Sequence, residues 1–226
     1  MLWIALLFAC HSDTAHDSAA EKERVAADCT ASEAPQTIEA AAALLTTLQG
    51  RVGTVDSACV VRALARPLVV VANSSVTSAQ PARGEARPRL FLLSGPLAIS
   101  LVPTGPGAEV IEFGEQTDPL RTRKAELVMP ITAPVHEDDP FERVAHPDYG
   151  TTCAVCHHNQ EPHPVRGMVS AGIRPDTWTD VPLDELAAEA QRCEGDGCDL
   201  LEAIFEDDYV PGTFPEEWST VRQLGR

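Results

Sequence analysis

The sequence predicts an α+β protein: an N-terminal antiparallel β domain with one helix, then a small helical, loop-rich C-terminal domain. Three observations carry this reading. Residues 37–49, TIEAAAALLTTLQ, are dense in helix formers. Four aliphatic and β-branched segments follow, at 59–72, 89–102, 109–114 and 124–132, separated by Pro, Gly and Ser turns. Beyond residue 143 the strand pattern gives way to two short amphipathic patterns, at 182–192 and 198–205.

Residues 1–9 are almost wholly apolar and end in Leu7-Phe8-Ala9-Cys10, directly before the polar run His11-Ser12-Asp13-Thr14. A helix needs about 20 apolar residues to span a ~30 Å hydrocarbon core, so this stretch is too short to cross. A small residue before the break gives it the form of a signal peptide. The Leu-x-Ala-Cys ending resembles the lipobox of bacterial lipoproteins. That resemblance implies a lipid on Cys10, an anchor in a membrane, and a place at the cell envelope, in the periplasm or on the outer membrane. A conventionally cleaved signal and a retained apolar tail are the alternatives. Residues 10–36 read as a polar tether, since the run from His11 to Arg24 has no apolar periodicity.

The β-rich domain is expected over 37–132. Its helix is predicted to stop at Gly50, a residue that ends helices readily. No nucleotide-binding loop and no serine–histidine constellation appears here, and the segment contains no histidine. Gly105-Pro106-Gly107 is turn chemistry, without the lysine and following helix of a phosphate cradle. Met129 lies in an apolar strand and reads as core. The region therefore reads as a binding or support module. Residues 133–143, APVHEDDPFER, are polar and Pro-flanked, which suits a linker.

The C-terminal unit, 144–226, holds the motif with chemistry in it: Cys153-Ala154-Val155-Cys156-His157. Two thiols three positions apart suit the two vinyl groups on one porphyrin edge, and the adjacent histidine is placed to ligate the iron. In these residues the chain resembles a small bacterial c-type cytochrome. The resemblance implies one covalent haem (heme c) on Cys153 and Cys156, with His157 as proximal ligand. Such cytochromes take a sixth ligand from a methionine well beyond the motif, and this chain has none after Met168. Met168, His163, His146 or an open, water-bound position remain the candidates. Two other readings stand beside haem. One is a zinc site using Cys153, Cys156, Cys193 and Cys198, with His157, His158 or His163 able to replace a cysteine. The other is a set of plain disulfides.

Seven cysteines leave one over in an oxidising compartment. Lipidation would consume Cys10, and haem attachment would consume Cys153 and Cys156. The remainder then pairs locally, Cys29 with Cys59 and Cys193 with Cys198. The second pair flanks the Gly195-Asp196-Gly197 corner between two helical patterns, which brings Cα atoms within bonding reach.

A formal net charge of −17 would repel a phosphate backbone, so nucleic acid is not an expected partner. Aromatic residues are only 5% of the chain, which argues against a deep aromatic cleft. No residue set suggests substrate turnover. The expected function is one-electron transfer at the envelope, with a redox partner protein that the sequence does not name. The competing class is a non-redox envelope lipoprotein, whose Cys-rich unit is a zinc or disulfide staple and whose β domain binds a partner.

Overall fold

The computed structural model describes residues 26–220, so the apolar leader, Cys10 and the first part of the tether lie outside the described residues. Thr37 caps the first long helix, α1 (Ile38–Val52), its hydroxyl accepting the Ala40 amide at 3.1 Å. Ile38, Ala41, Leu44, Leu45 and Leu48 recur at helical spacing and are buried. The helix runs through Gly50 and stops at Gly53 instead. There a φ of 81° suits glycine, and the Gly53 amide returns to the Gln49 carbonyl.

The first expected strand segment is corrected in part. Residues Ser57–Ala63 form a helix, α2, despite Val60 and Val61. Asp56 caps it by accepting the Cys59 amide at 2.8 Å, and its apolar residues pack against a later helix. Only after residue 67 does strand β1 (Leu68–Asn73) begin. The segment at 89–102 folds into a hairpin, β2 (Arg89–Ser94) and β3 (Leu97–Leu101), with Gly95 and Pro96 at the turn. Strands β4 (Val110–Asp118) and β5 (Arg121–Val128) complete an antiparallel meander.

The C-terminal third is not only helical. It adds β8 (Glu161–Pro162) and β9 (Met168–Ala171) beyond β5, and β11 (Tyr209–Pro211) parallel to β1. The result is one eight-stranded, mainly antiparallel sheet in the order β11-β1-β2-β3-β4-β5-β9-β8. The expected linker contains a short helix, α3 (Asp139–Val144), which buries Phe141 and packs on β5. A small hairpin of β6 (Ala145–His146) and β7 (Gly150–Thr151) follows it. Helix α4 (Leu183–Ala190) packs on α5 (Cys198–Phe205), and α5 packs on α2. A last small pairing joins β10 (Ile173–Arg174) to β12 (Ser219–Thr220).

One face of the sheet is the core. Leu90, Leu92, Ile99, Ile111, Phe113 and Leu127 share a single buried cluster with α1, α2, Leu186, Leu201 and Ile204. Residues from both sides of the expected linker thus close one interior. Arg66 reinforces this, its guanidinium donating to the Ala203 and Ile204 carbonyls at the end of α5. The other face follows from the period of two along each strand, which alternates core side chains with polar ones. It carries Phe91, Ser100, Glu112, Gly114, Thr122, Lys124 and Glu126, matched across the ladder as Phe91 with Ser100, Gly114 with Lys124 and Glu112 with Glu126.

Candidate functional site

The two disulfides are those that the cysteine count predicts. Cys29 is bonded to Cys59 across a Cα separation of 5.1 Å, and Cys193 to Cys198 across 5.5 Å. Among the described residues Cys153 and Cys156 are left as free thiols. This pairing withdraws Cys193 and Cys198 from the four-cysteine zinc set.

The β6–β7 hairpin delivers the chain into a single 3-10 turn, Thr152–Val155, that contains the start of the motif. The Cys153 carbonyl accepts amides from both Cys156 and His157, at 3.2 and 2.8 Å. That tight turn holds the two cysteines and the histidine on one short arc. Cys153 is half-buried and Cys156 exposed, and Val155 between them is 82% exposed. Burial raises the Cys153 thiol above its ordinary value and outweighs the opposing field of Lys124.

His157 is half-buried, and its Nδ1 lies 3.3 Å from the Ala171 carbonyl at the end of β9. A carbonyl only accepts, so Nδ1 carries the proton and Nε2 keeps a free lone pair. Burial, followed by the charge of Lys124, pushes this imidazole down to about 3, so it is neutral at physiological pH. A neutral imidazole with one nitrogen tied to a carbonyl is the form that ligates a metal through the other.

Beneath the turn lies the polar face of the sheet. Lys124 extends over Gly114, where even a Cβ would sit 2.8 Å from its Nζ, and no hydrogen bond or ion pair holds that ammonium among the described residues. Arg89 donates to Ser100 at 2.6 Å and to Glu112 at 2.7 Å, and also bonds Ser78. Thr122 and Ser170 face each other across β5 and β9, both buried, with hydroxyls that have no partner among the described residues. The sequence reading missed Lys124 and Arg89 as neighbours of the motif. For Lys124 a short signal was present in the alternation Lys124-Ala125-Glu126-Leu127, which puts Lys124 and Glu126 on the face opposite Ala125 and Leu127.

The sixth-ligand candidates lie on or beside neighbouring short strands: Met168, which opens β9, pairs with Pro162, next to His163, and packs by Gly150, which pairs with His146. His163 sits in the turn between β8 and β9, its amide bonded to the Gly167 carbonyl and its Nδ1 accepting the Val165 amide. His146 is stacked on Tyr149 at 4.7 Å between ring centres. Among the described residues no group of three or more His, Cys, Asp or Glu side chains is arranged to hold a metal ion by itself. No helix among them is long and apolar enough to cross a membrane. Comparison with protein-family models, with curated proteins and with solved structures finds no match.

Proposed function

We propose that this protein is an exported c-type cytochrome-like electron carrier, with one haem covalently attached through Cys153 and Cys156 and with His157 as its proximal ligand. The supporting observation is the chemistry of that arc: two free thiols on one short turn, one half-buried and one exposed, followed by a neutral histidine with Nδ1 engaged and Nε2 available. The residues fit the group. Cys156 and Val155 are exposed and would leave the turn accessible to a haem, and with Nδ1 tethered to Ala171 it is Nε2 that would ligate the iron. Haem would supply a one-electron couple with a potential set by its axial ligands. The chain's own residues position and shield that couple: Ala171 orients His157, and burial keeps the imidazole unprotonated. In this reading Cys10 carries the lipid that holds the carrier at the envelope, and a partner protein delivers or removes the electron.

The test is expression of the full chain, for export, in a host with cytochrome c maturation, then denaturing electrophoresis and a peroxidase stain. Covalent haem survives the gel. The Cys153→Ala/Cys156→Ala chain should be colourless, and His157→Ala should mature poorly or lose its low-spin spectrum. Single substitution of Met168 and His163 would then identify the sixth ligand by the change of spin state. A colourless wild-type protein ends this reading. The second reading, a non-redox envelope lipoprotein with a disulfide staple, shares the Cys193–Cys198 bond with the first and predicts that colourless outcome.

A further inference from the structure

The two disulfides sit in unlike surroundings. Cys29 and Cys59 are 1% and 3% exposed, inside the aliphatic interior. Cys193 and Cys198 are half-buried at the corner between α4 and α5. Arg87, from the loop before β2, lies against this second bond. Its Nη2 donates to the Cys193 Sγ at 3.0 Å and lies 3.8 Å from the Cys198 Sγ. The Nη1 of the same guanidinium is paired with Glu189 of α4 at 3.3 Å, which holds the other arm of the fork on the sulfurs.

A disulfide is opened by attack of a thiolate, and the step is faster when the thiolate that departs is more stable. A guanidinium on the Cys193 sulfur stabilises negative charge there. Cys198 is the first residue of α5, where the amides at the start of the helix favour a thiolate on the other sulfur. Glu194, Asp196 and Asp199 are exposed on the same corner and act in the opposite sense, which leaves Arg87 as the cation in contact with the sulfurs. Opening the bond leaves the corner standing. With a sequence separation of only 5, the bond constrains the unfolded chain little. Gly197 packs against Pro103, where a Cβ would lie 2.4 Å from the carbonyl oxygen, and Leu186, Leu200 and Leu201 bury both helices.

We propose that the Cys193–Cys198 bond is a thiol–disulfide exchange site that takes two electrons from a dithiol, the substrate class being a protein with a cysteine pair. One partner thiolate attacks the Cys198 Sγ; the S–S bond breaks and its electron pair leaves on Cys193, beside Arg87. The partner's second thiolate then attacks the partner sulfur of the mixed disulfide and releases Cys198. The partner ends as a disulfide and this chain as a dithiol, and the two protons shed by the partner's thiols are taken up by the two cysteines released. The site shares no atom with the Cys153–His157 motif and goes beyond the electron-carrier reading.

The experiment equilibrates the folded full chain with mixtures of reduced and oxidised glutathione, which leave ordinary structural disulfides closed. Free thiols are trapped with iodoacetamide, and each cysteine is read in its own peptide by mass spectrometry. That readout does not depend on what Cys153 and Cys156 carry, so failure of the exchange site and absence of haem are told apart. Cys193–Cys198 should open while Cys29–Cys59 stays closed and the far-UV circular dichroism is unchanged. With dithiothreitol as the dithiol, Arg87→Gln should slow the opening about fivefold or more, and in glutathione it should lower the opened fraction. The direction is diagnostic: a guanidinium that only packed the corner would, once removed, expose the sulfurs and speed the opening. In the reduced chain, Arg87→Gln should also move the pH profile of Cys193 alkylation upward. A Cys193–Cys198 bond that stays closed in glutathione as Cys29–Cys59 does overturns the proposal. So does a folded Arg87→Gln chain that opens at the wild-type rate or faster.

Discussion

The residue that most tightly couples distant parts of the chain is Arg123. Its side chain is 3% exposed and is held between Glu115 at 2.6 Å and Glu39 at 2.7 Å, with its guanidinium over the Phe141 ring at 4.9 Å. Glu115 also accepts the Ile38 amide at the start of α1. This set joins α1, β4, β5 and α3 through charge. For Glu39, burial alone would raise the carboxyl, but the Arg123 hydrogen bond and charge outweigh it and hold the group below its ordinary 4.5. The sign follows from linkage. A carboxyl whose folded value lies below its unfolded value contributes fully above about 4.5, and the contribution is lost as pH falls through the folded value. Glu39→Gln should therefore lower stability by about 1.5–3 kcal/mol at pH 7. The difference from wild type should shrink below pH ~4.5 in urea unfolding at stepped pH. A difference constant from pH 7 to pH 3 would show that the ion pair has no part in it.

At the scale of the element, local chemistry and tertiary packing divide the outcome. The two disulfides bridge loops of very different length, with sequence separations of 30 and 5. The chain-entropy relation gives about 3.6 kcal/mol for the longer and about 2 kcal/mol for the shorter. Cys29→Ala/Cys59→Ala should thus lower the urea midpoint more than Cys193→Ala/Cys198→Ala. The reverse order would place the stabilisation in native packing around the α4–α5 corner. Helix α5 is legible in sequence because Leu201, Ile204 and Phe205 follow a 3.6-residue period and a Gly-rich corner starts it. Helix α1 is legible at Thr37 but not at its end, where Gly50 is tolerated inside the helix and Gly53 does the stopping. Helix α2 was hidden by Val60 and Val61, whose strand preference yields to the Asp56 cap and to burial against α5. Strands β8, β9 and β11 have two to four residues each, too few for alternation to show, and pairing with an existing edge is what forms them. At the site, the motif and the two disulfide pairs were legible. The partner of His157 was not, because Ala171 contributes a backbone carbonyl, which no residue type announces.

Across the whole molecule, the decisive relation is how the C-terminal third closes the sheet. Strand β11 covers the edge at β1, and β9 with β8 covers the edge at β5. Helices α4 and α5 bury Leu186, Leu200, Leu201 and Ile204 in the same cluster as α1 and α2. Without residues 133–220 the meander would show two bare edges, and α2 would lose the helix it packs on. Burial of a single Leu or Ile side chain contributes roughly 1.5–3 kcal/mol, so the four from α4 and α5 are comparable to the whole net stability of a domain, about 5–15 kcal/mol. A fragment of residues 26–132 is therefore expected not to fold alone, although its sequence reads as a self-sufficient β domain. In urea, followed by far-UV circular dichroism, the fragment should show no cooperative transition, and it should associate through its open strands. The intact chain should unfold in one transition with coincident signals from the sheet and from Trp218. Two separated transitions, or a fragment that unfolds cooperatively with the midpoint of the intact chain, would mean that the boundary at 133–143 divides two independent domains after all. The Cys153–His157 turn would then belong to a unit able to move against the sheet. With one transition, Cys153 and His157 are held on the same rigid sheet that carries Lys124 and Ala171, and the field around the turn is a fixed property of the fold.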